Sequence, residues 1–274
     1  MKVLVIITKA GLCNRLQEML SYFEHSKEVQ FDKTYFIWTI TEHLHSDIKE
    51  LFHLPGVTIL ENSQNIKDNL DKFIFDNIPK NKSHYGGDKL TLTYNDSNID
   101  ITMHGGTGKH PKYDVIDPKK IIFQETLVNE VQNFIDENLK SKFHAIHIRY
   151  KDGSPIGFHI DHEMLKDFIQ THHDTPIYVS TDSKEMQEIY RPYSNVVMNS
   201  KLGNNFQTIR RDLYNSIFDL LLCSKATIFI GTPNKNTRSI QSSYSNFIYG
   251  LRGVYKEAIS REYLNKHFIH DLAL

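Results

Sequence analysis

The sequence predicts an α/β chain built as two Rossmann-like lobes facing a cleft. Three observations support this. Apolar runs at Lys2–Ile7 and Tyr35–Ile40 flank a stretch with helical character, as in a strand–helix–strand unit. From Ala145 onward, strand-like and helix-like segments alternate several times, which implies a parallel sheet covered on both faces. Between these regions, His104–Asp117 is rich in Gly, Lys, His and Pro and reads as a linker. The expected lobes are 1–110 and 111–274, and 274 residues suffice for two such cores.

In chain order, strand Lys2–Ile7 leads through the turn Lys9-Ala10-Gly11 into a helix from Asn14 to about Glu28. Strand Tyr35–Ile40, a short helix His45–Leu51 and strand Val57–Leu60 follow. Leu90–Tyr94 and Ile99–Met103 alternate as a β-hairpin across Asn95-Asp96-Ser97. Pro118 is placed to start a helix that aligns Phe123, Leu127, Val131, Phe134 and Ile135 on one face. The second lobe reads as four strand–helix pairs. These are Ala145–Arg149 with Asp161–Gln170, Pro176–Ser180 with Ser183–Tyr190, Asn195–Met198 with Thr208–Ser224, and Ala226–Gly231 with Arg238–Tyr249. Helices after Leu251 are expected to pack back on the first lobe.

Composition removes several classes of function. Lys and Arg total 32 against 33 for Asp and Glu, with no long block of like charge. This argues against nucleic-acid and anionic-membrane partners. Cys13 and Cys223 are the two cysteines, too few for a disulfide framework and suited to a reducing compartment. The first apolar run is too short for a signal peptide or a membrane span, so a cytoplasmic location is expected. The sequons at Asn81 and Asn95 then carry no meaning. Met103-His104-Gly105-Gly106-Thr107-Gly108-Lys109-His110 mimics a phosphate loop, but Met103 stands where the first Gly belongs and His110 where Ser or Thr belongs. Fifteen histidines include the clusters His159-x-Asp161-His162 and His172-His173-Asp174, neither with a ligand spacing and a third partner. Asp161 reads better as a helix cap. No metal site and no cofactor are expected.

Four segments lie at strand ends, where ligands meet open α/β sheets. His147-Ile148-Arg149-Tyr150-Lys151-Asp152 brings an arginine to a strand exit, and a planar, permanently charged guanidinium suits a diphosphate. His147 can bond the ligand or brace the strand, and Asp152 can orient Arg149. In Tyr178-Val179-Ser180-Thr181-Asp182-Ser183, Asp182 is either a helix N-cap or a group near a nucleotide or sugar hydroxyl. Asp219 sits in a strongly apolar helix, where a carboxylate needs a partner or a cleft. The strand after it exits into Gly231-Thr232-Pro233-Asn234-Lys235-Asn236, a polar loop entering a helix start, which favours phosphate. Gly11-Leu12-Cys13-Asn14-Arg15 is a glycine turn with Asn14 as a cap, and it lacks the Gly-x-Gly-x-x-Gly of dinucleotide folds.

Taken together, Gly11/Asn14, His147/Arg149/Asp152, Thr181/Asp182 and Asp219 with Gly231-Thr232 resemble the fucosyltransferase superfamily in order and spacing. That group includes the nodulation-factor, core α1,6- and protein O-fucosyltransferases. The resemblance implies a GT-B-like fold, a nucleotide-sugar donor, GDP-fucose, a glycan or glycoconjugate acceptor, inversion at the anomeric carbon and no metal. It departs from the family pattern at Tyr150, where many members carry a second basic residue. It departs again in the Gly153–Ile160 stretch, which holds no carboxylate, and at Thr232–Asn236, which is not Ser-Ser-x-x-Ser-like.

The implied roles follow the motifs. Arg149 holds the β-phosphate and stabilises the leaving diphosphate. His147, Gly231, Thr232, Asn234 and Asn236 line the donor side. Asp182 and Asp219 bind base, ribose or sugar hydroxyls, or hold cationic groups. Asn14 and Arg15 face the sugar or acceptor. The acceptor's proton goes to Asp152, or the route is base-free and dissociative. A non-catalytic nucleotide or glycan binder, or a transferase for another activated sugar, are the alternatives.

Overall fold

A computed structural model describes residues 1–8, 11–39, 48–61, 63–80, 85–106, 116–150, 162–199, 213–232 and 242–253. The chain divides into two compact units, Met1–Gln124 and Glu125–Leu274.

The first unit carries a five-stranded sheet ordered β4-β2-β1-β6-β5. Its strands are β1 (Lys2–Thr8), β2 (Lys33–Trp38), β4 (Thr58–Leu60), β5 (Tyr85–Tyr94) and β6 (Ser97–Gly106). All neighbours are parallel except the β5–β6 hairpin. The hairpin turns over two residues, Asn95 and Asp96, with φ of 47° and 63°. Asn and Asp tolerate this left-handed region, and such a turn matches the twist of the strands. Helix α1 (Leu12–Val29) and helix α2 (Asn69–Asn77) join these strands. Val3, Val5 and Ile7 point to the α2 face with Ile74 and Phe75, as the strand period of two requires.

A two-stranded antiparallel ribbon completes the unit, β3 (Phe52–His53) with β7 (Ile122–Phe123). This pairing corrects the helix expected from Pro118. Pro118–Lys120 is a 3-10 turn capped by Asp117, and Ile122–Phe123 is strand. Helix α3 (Glu125–Asn138) begins only afterwards, with Leu127, Val131 and Ile135 buried. Phe123 therefore meets Phe52, ring centroids 6.2 Å apart, and not the α3 core. The ribbon also keeps residues up to Gln124 in the first unit.

The second unit has a four-stranded parallel sheet ordered β10-β9-β8-β11. Its strands are β8 (His144–Ile148), β9 (Ile177–Thr181), β10 (Val196–Val197) and β11 (Ile228–Ile230). The helices are α3, α4 (His162–Thr171), α5 (Lys184–Tyr190), α6 (Leu213–Ser224) and α7 (Ser243–Leu251). Ile146, Ile148, Val179 and Ile230 pack with Leu165, Phe168, Ile169, Met186 and Tyr190 of α4 and α5. Helices α3 and α6 meet each other, as do α6 and α7. The expected strand–helix alternation of this unit is thus present, with bounds shifted by a few residues. The expected starts of the last two helices, near Thr208 and Arg238, lie outside the described residues, as do 254–274.

Candidate active site

The site residues of the second unit gather at the carboxyl ends of β8, β9 and β11. β8 is fully buried, so its first polar exit residue, Arg149, emerges where the sheet stops. Its side chain is 37% exposed, and Nη1 donates to Asp182 Oδ2. Asp182 Oδ1 accepts the Tyr150 backbone N–H at 2.8 Å. One carboxylate therefore fixes both the guanidinium and the chain that carries it, and the remaining guanidinium N–H groups keep their fork geometry for an anion.

This corrects the N-cap reading of Asp182. The cap of α5 is Ser183, whose hydroxyl accepts from Met186 N at 3.3 Å. Both oxygens of Asp182 are instead committed to residues 149 and 150.

Thr232 locks the neighbouring exit. Its hydroxyl donates to His147 O at 2.6 Å and accepts from Arg149 N at 2.8 Å. Its own N–H donates to Ser245 Oγ at 3.1 Å, and Ser245 Oγ lies 2.7 Å from His147 Nδ1. His147 is buried, also against Tyr244 with ring centroids 4.6 Å apart. Burial, with Arg149 adding to it, pushes its pKa down to about 3, so the imidazole is neutral. His147 is a brace for the strand ends, one of the two roles expected of it. Gly231 is glycine because α7 lies against it: a Cβ there would stand 2.7 Å from Ser245 Cβ. Gly231 N donates to Tyr249 OH, which donates in turn to Phe229 O.

Asp219 is 4% exposed on α6 and has the partners its apolar helix demanded. Oδ1 accepts from Tyr178 OH at 2.6 Å and Oδ2 from Ser180 Oγ at 2.8 Å. Tyr178 and Ser180 are two apart on β9 and so share a face. Burial raises its pKa to about 6 against those bonds and one from Asn199. Asp219 ties α6 to β9. Asp152, Asn234 and Asn236 lie outside the described residues.

In the first unit the expected sugar-facing pair behaves unevenly. Helix α1 begins at Leu12 with Gly11 as its N-cap, so Asn14 is not the cap but an exposed first-turn residue. Arg15 is fully buried, contrary to the open, sugar-facing position expected of it. Its guanidinium lies 4.5 Å from the Trp38 ring centroid, and Nη1 donates to Thr39 O at 2.7 Å. Beside it, Glu18 is 2% exposed, and sequence reading passed over it. The available signal was its place three residues after Arg15, beside Leu16, Met19 and Leu20. Ser245 and Tyr249 were passed over as well. Both are polar residues on a buried stripe of α7, spaced i, i+4.

No family model matches the sequence, and no curated protein does. Solved structures do. The chain superposes on a NodZ alpha-1,6-fucosyltransferase soaked with GDP-fucose at TM-score 0.56 and 10% identity, covering 90% of this chain and 92% of that one. The fold is fucosyltransferase-like. A fucosyltransferase NodZ from Bradyrhizobium gives 0.53 at 10% identity, covering 89% and 91%. POFUT1 in complex with GDP gives 0.57 at 12% identity, covering 93% and 95%. These likenesses span nearly the whole of each chain, so the fucosyltransferase-like fold includes both α/β units. Among the described residues no helix is long and apolar enough to cross a membrane.

Proposed function

We propose that the chain is an inverting glycosyltransferase that moves a deoxyhexose, fucose from GDP-fucose, to a glycan hydroxyl. The observation that carries the reading is the β8 exit. Arg149 is partly exposed, oriented by Asp182 and pinned through its backbone by Thr232. A guanidinium so fixed pairs with a diphosphate before reaction and more strongly as charge grows on the leaving oxygen. The fold adds support, since similar structures hold GDP or GDP-fucose.

In this reading the second unit binds the donor and the first presents Asn14 to the acceptor. Thr232 and Asp219 shape the donor side through the strand ends and do not touch the sugar themselves. Asp152, Asn234 and Asn236 keep the donor-side and acid–base roles that the resemblance implies for them. Arg149 supplies the positive charge that a divalent cation supplies elsewhere, and no Asp-x-Asp follows an apolar strand in the sequence. Buried thiols at Cys13 and Cys223 suit a reducing, cytoplasmic setting.

The test is thermal shift across nucleotides, followed by GDP release from GDP-fucose in excess chelator. GDP at about 100 times its Kd is expected to stabilise by roughly 2.7 kcal/mol. Turnover is expected to survive chelation. Failure of guanine nucleotides to stabilise the protein, or turnover restored only by magnesium or manganese, would overturn the corresponding part.

A further inference from the structure

Strand β5 is one edge of the first unit's sheet, and among the described residues nothing pairs with its outer side. The hairpin fixes which backbone groups lie there. With a two-residue turn at Asn95 and Asp96, Tyr94 and Ser97 form the closing hydrogen-bonded pair. The alternation then puts Thr93, Thr91 and Lys89 in non-hydrogen-bonded pairs with Asn98, Asp100 and Thr102. Bonds on the far side of β6 agree. Asp100 N donates to Met1 O at 2.9 Å, and Asn98 O accepts from the Met1 amino group at 3.4 Å. Lys89, Thr91 and Thr93 therefore turn both backbone N–H and C=O outward. Their side chains are exposed in the whole chain. Such an edge is a template for another strand.

We propose that this edge pairs with the same edge of a second copy of the chain, antiparallel and two-fold symmetric about Thr91. Three observations select a second copy. The outward residues run from 89 to 93, between the bulge at Gly86/Asp88 and the turn, so Thr91 is their midpoint. Pairing Thr91 with its own counterpart sets Lys89 against Thr93 and uses every outward N–H and C=O, the isologous geometry of a two-fold. No like charges meet, for Lys89 faces Thr93 and Asp88 faces Tyr94. On the α2 face, Leu90 of one copy meets Leu92 of the other. Both are only partly buried, as are Tyr94 and Phe73 beside them, whose rings lie 5.0 Å apart.

Other registers fit less well. Centring the pair on Leu90 sets Thr93 of each copy against the bulge, and centring it on Leu92 sets Lys89 against the turn. A slip of one residue puts Leu90 and Leu92 on the polar face. The join itself is modest. Edge pairing buries less than a standard interface, so the association is reversible and follows concentration. It covers Leu90 and Leu92 and gives the outward backbone groups a ladder in place of water.

The experiment is sedimentation velocity on the full chain across a dilution series, with Tm, for the wild type, Thr91→Glu, Thr91→Cys and Thr93→Cys. The wild type should pass from monomer to dimer as concentration rises. Thr91→Glu sets two carboxylates against each other at the axis and should stay monomeric, with Tm near the wild-type value. Opposed Cα atoms in a hydrogen-bonded pair stand about 5.5 Å apart, within disulfide reach. Thr91→Cys should therefore cross-link to a dimer under mild oxidant. Thr93→Cys, whose counterpart is Lys89, should not, and neither should the wild type, whose own two thiols are buried. A wild type that stays monomeric at the highest concentration overturns the proposal and leaves the edge to an extended segment of a different protein. A dimer that survives Thr91→Glu overturns it, and so does cross-linking of Thr93→Cys as ready as that of Thr91→Cys. Should Thr91→Glu fail to fold, the two cysteine variants decide alone.

Discussion

Two arginines follow the central strands of the two units, and they live in opposite surroundings. Arg15, in the first turns of α1, is enclosed over Trp38 and tied to a carbonyl. Burial lowers even its pKa, to about 10. Arg149, one residue past β8, is partly open and tied to a carboxylate. The first is positioned to stabilise the fold, and in the proposed transferase reading the second meets an anion. Being an arginine near a strand end does not distinguish them. What does is whether aromatic surface from a neighbouring strand covers the guanidinium.

The contrast predicts that the same kind of substitution fails in different assays. Arg149→Lys should lower turnover by about 10²–10³, since an ammonium cannot reproduce the fork. Its Tm should stay near the wild-type value. Arg15→Met should do the reverse. Removing the charge beside buried Glu18 and the stacking on Trp38 should cost about 3 kcal/mol in denaturant unfolding. GDP affinity should remain. A folded Arg149→Lys with full rate, or an Arg15→Met that is stable but does not bind GDP, would break the comparison.

The ends should also answer pH with opposite slopes. His147 takes its proton near 6.5 when unfolded but only near 3 when folded. Its contribution to stability is therefore present above about 6.5 and lost as pH falls toward 3. Glu18 has a folded pKa above its unfolded one, so its contribution is complete below about 4.5 and lost as pH rises through about 8. Between about pH 7 and pH 5 the His147 difference amounts to about 2 kcal/mol. The acid-side fall in Tm should be shallower in His147→Gln, and the alkaline-side fall shallower in Glu18→Gln.

The smallest effects separate Asp182 from its neighbour. Asp182→Asn weakens the hold on Arg149 and should slow turnover about tenfold. Ser183→Ala removes the α5 cap and should cost about 1 kcal/mol with the rate intact. Equal behaviour of the two variants would return Asp182 to a capping role.

Much of this was legible in the sequence, for local reasons. Runs such as Val3–Ile7 and Ala145–Ile148 are apolar enough to be buried on both faces of a parallel sheet, and they are. Asp219 announced itself as a carboxylate in an apolar helix, although nothing in its own segment named Tyr178 and Ser180. The failures are all non-local. Ile122 and Phe123 fit a helical period, but Phe52 and His53 drew them into a ribbon. Arg15 read as facing the sugar or acceptor because Trp38, its cover, comes from the next strand. Of the two readings of Asp182, the cap falls to Ser183 one residue later, while Arg149, far off in sequence, claims the carboxylate.

Thr232 has a consequence for anyone rebuilding this protein. A single hydroxyl joins the exits of β8 and β11 by giving its proton to one carbonyl and receiving one from the next amide. Thr232→Val would match its shape yet strand both of those backbone groups, whereas Thr232→Ser would preserve the join. The chain beyond Thr232 is thus a natural grafting point. Other sequences can be spliced there while the arginine's mounting stays behind on the scaffold.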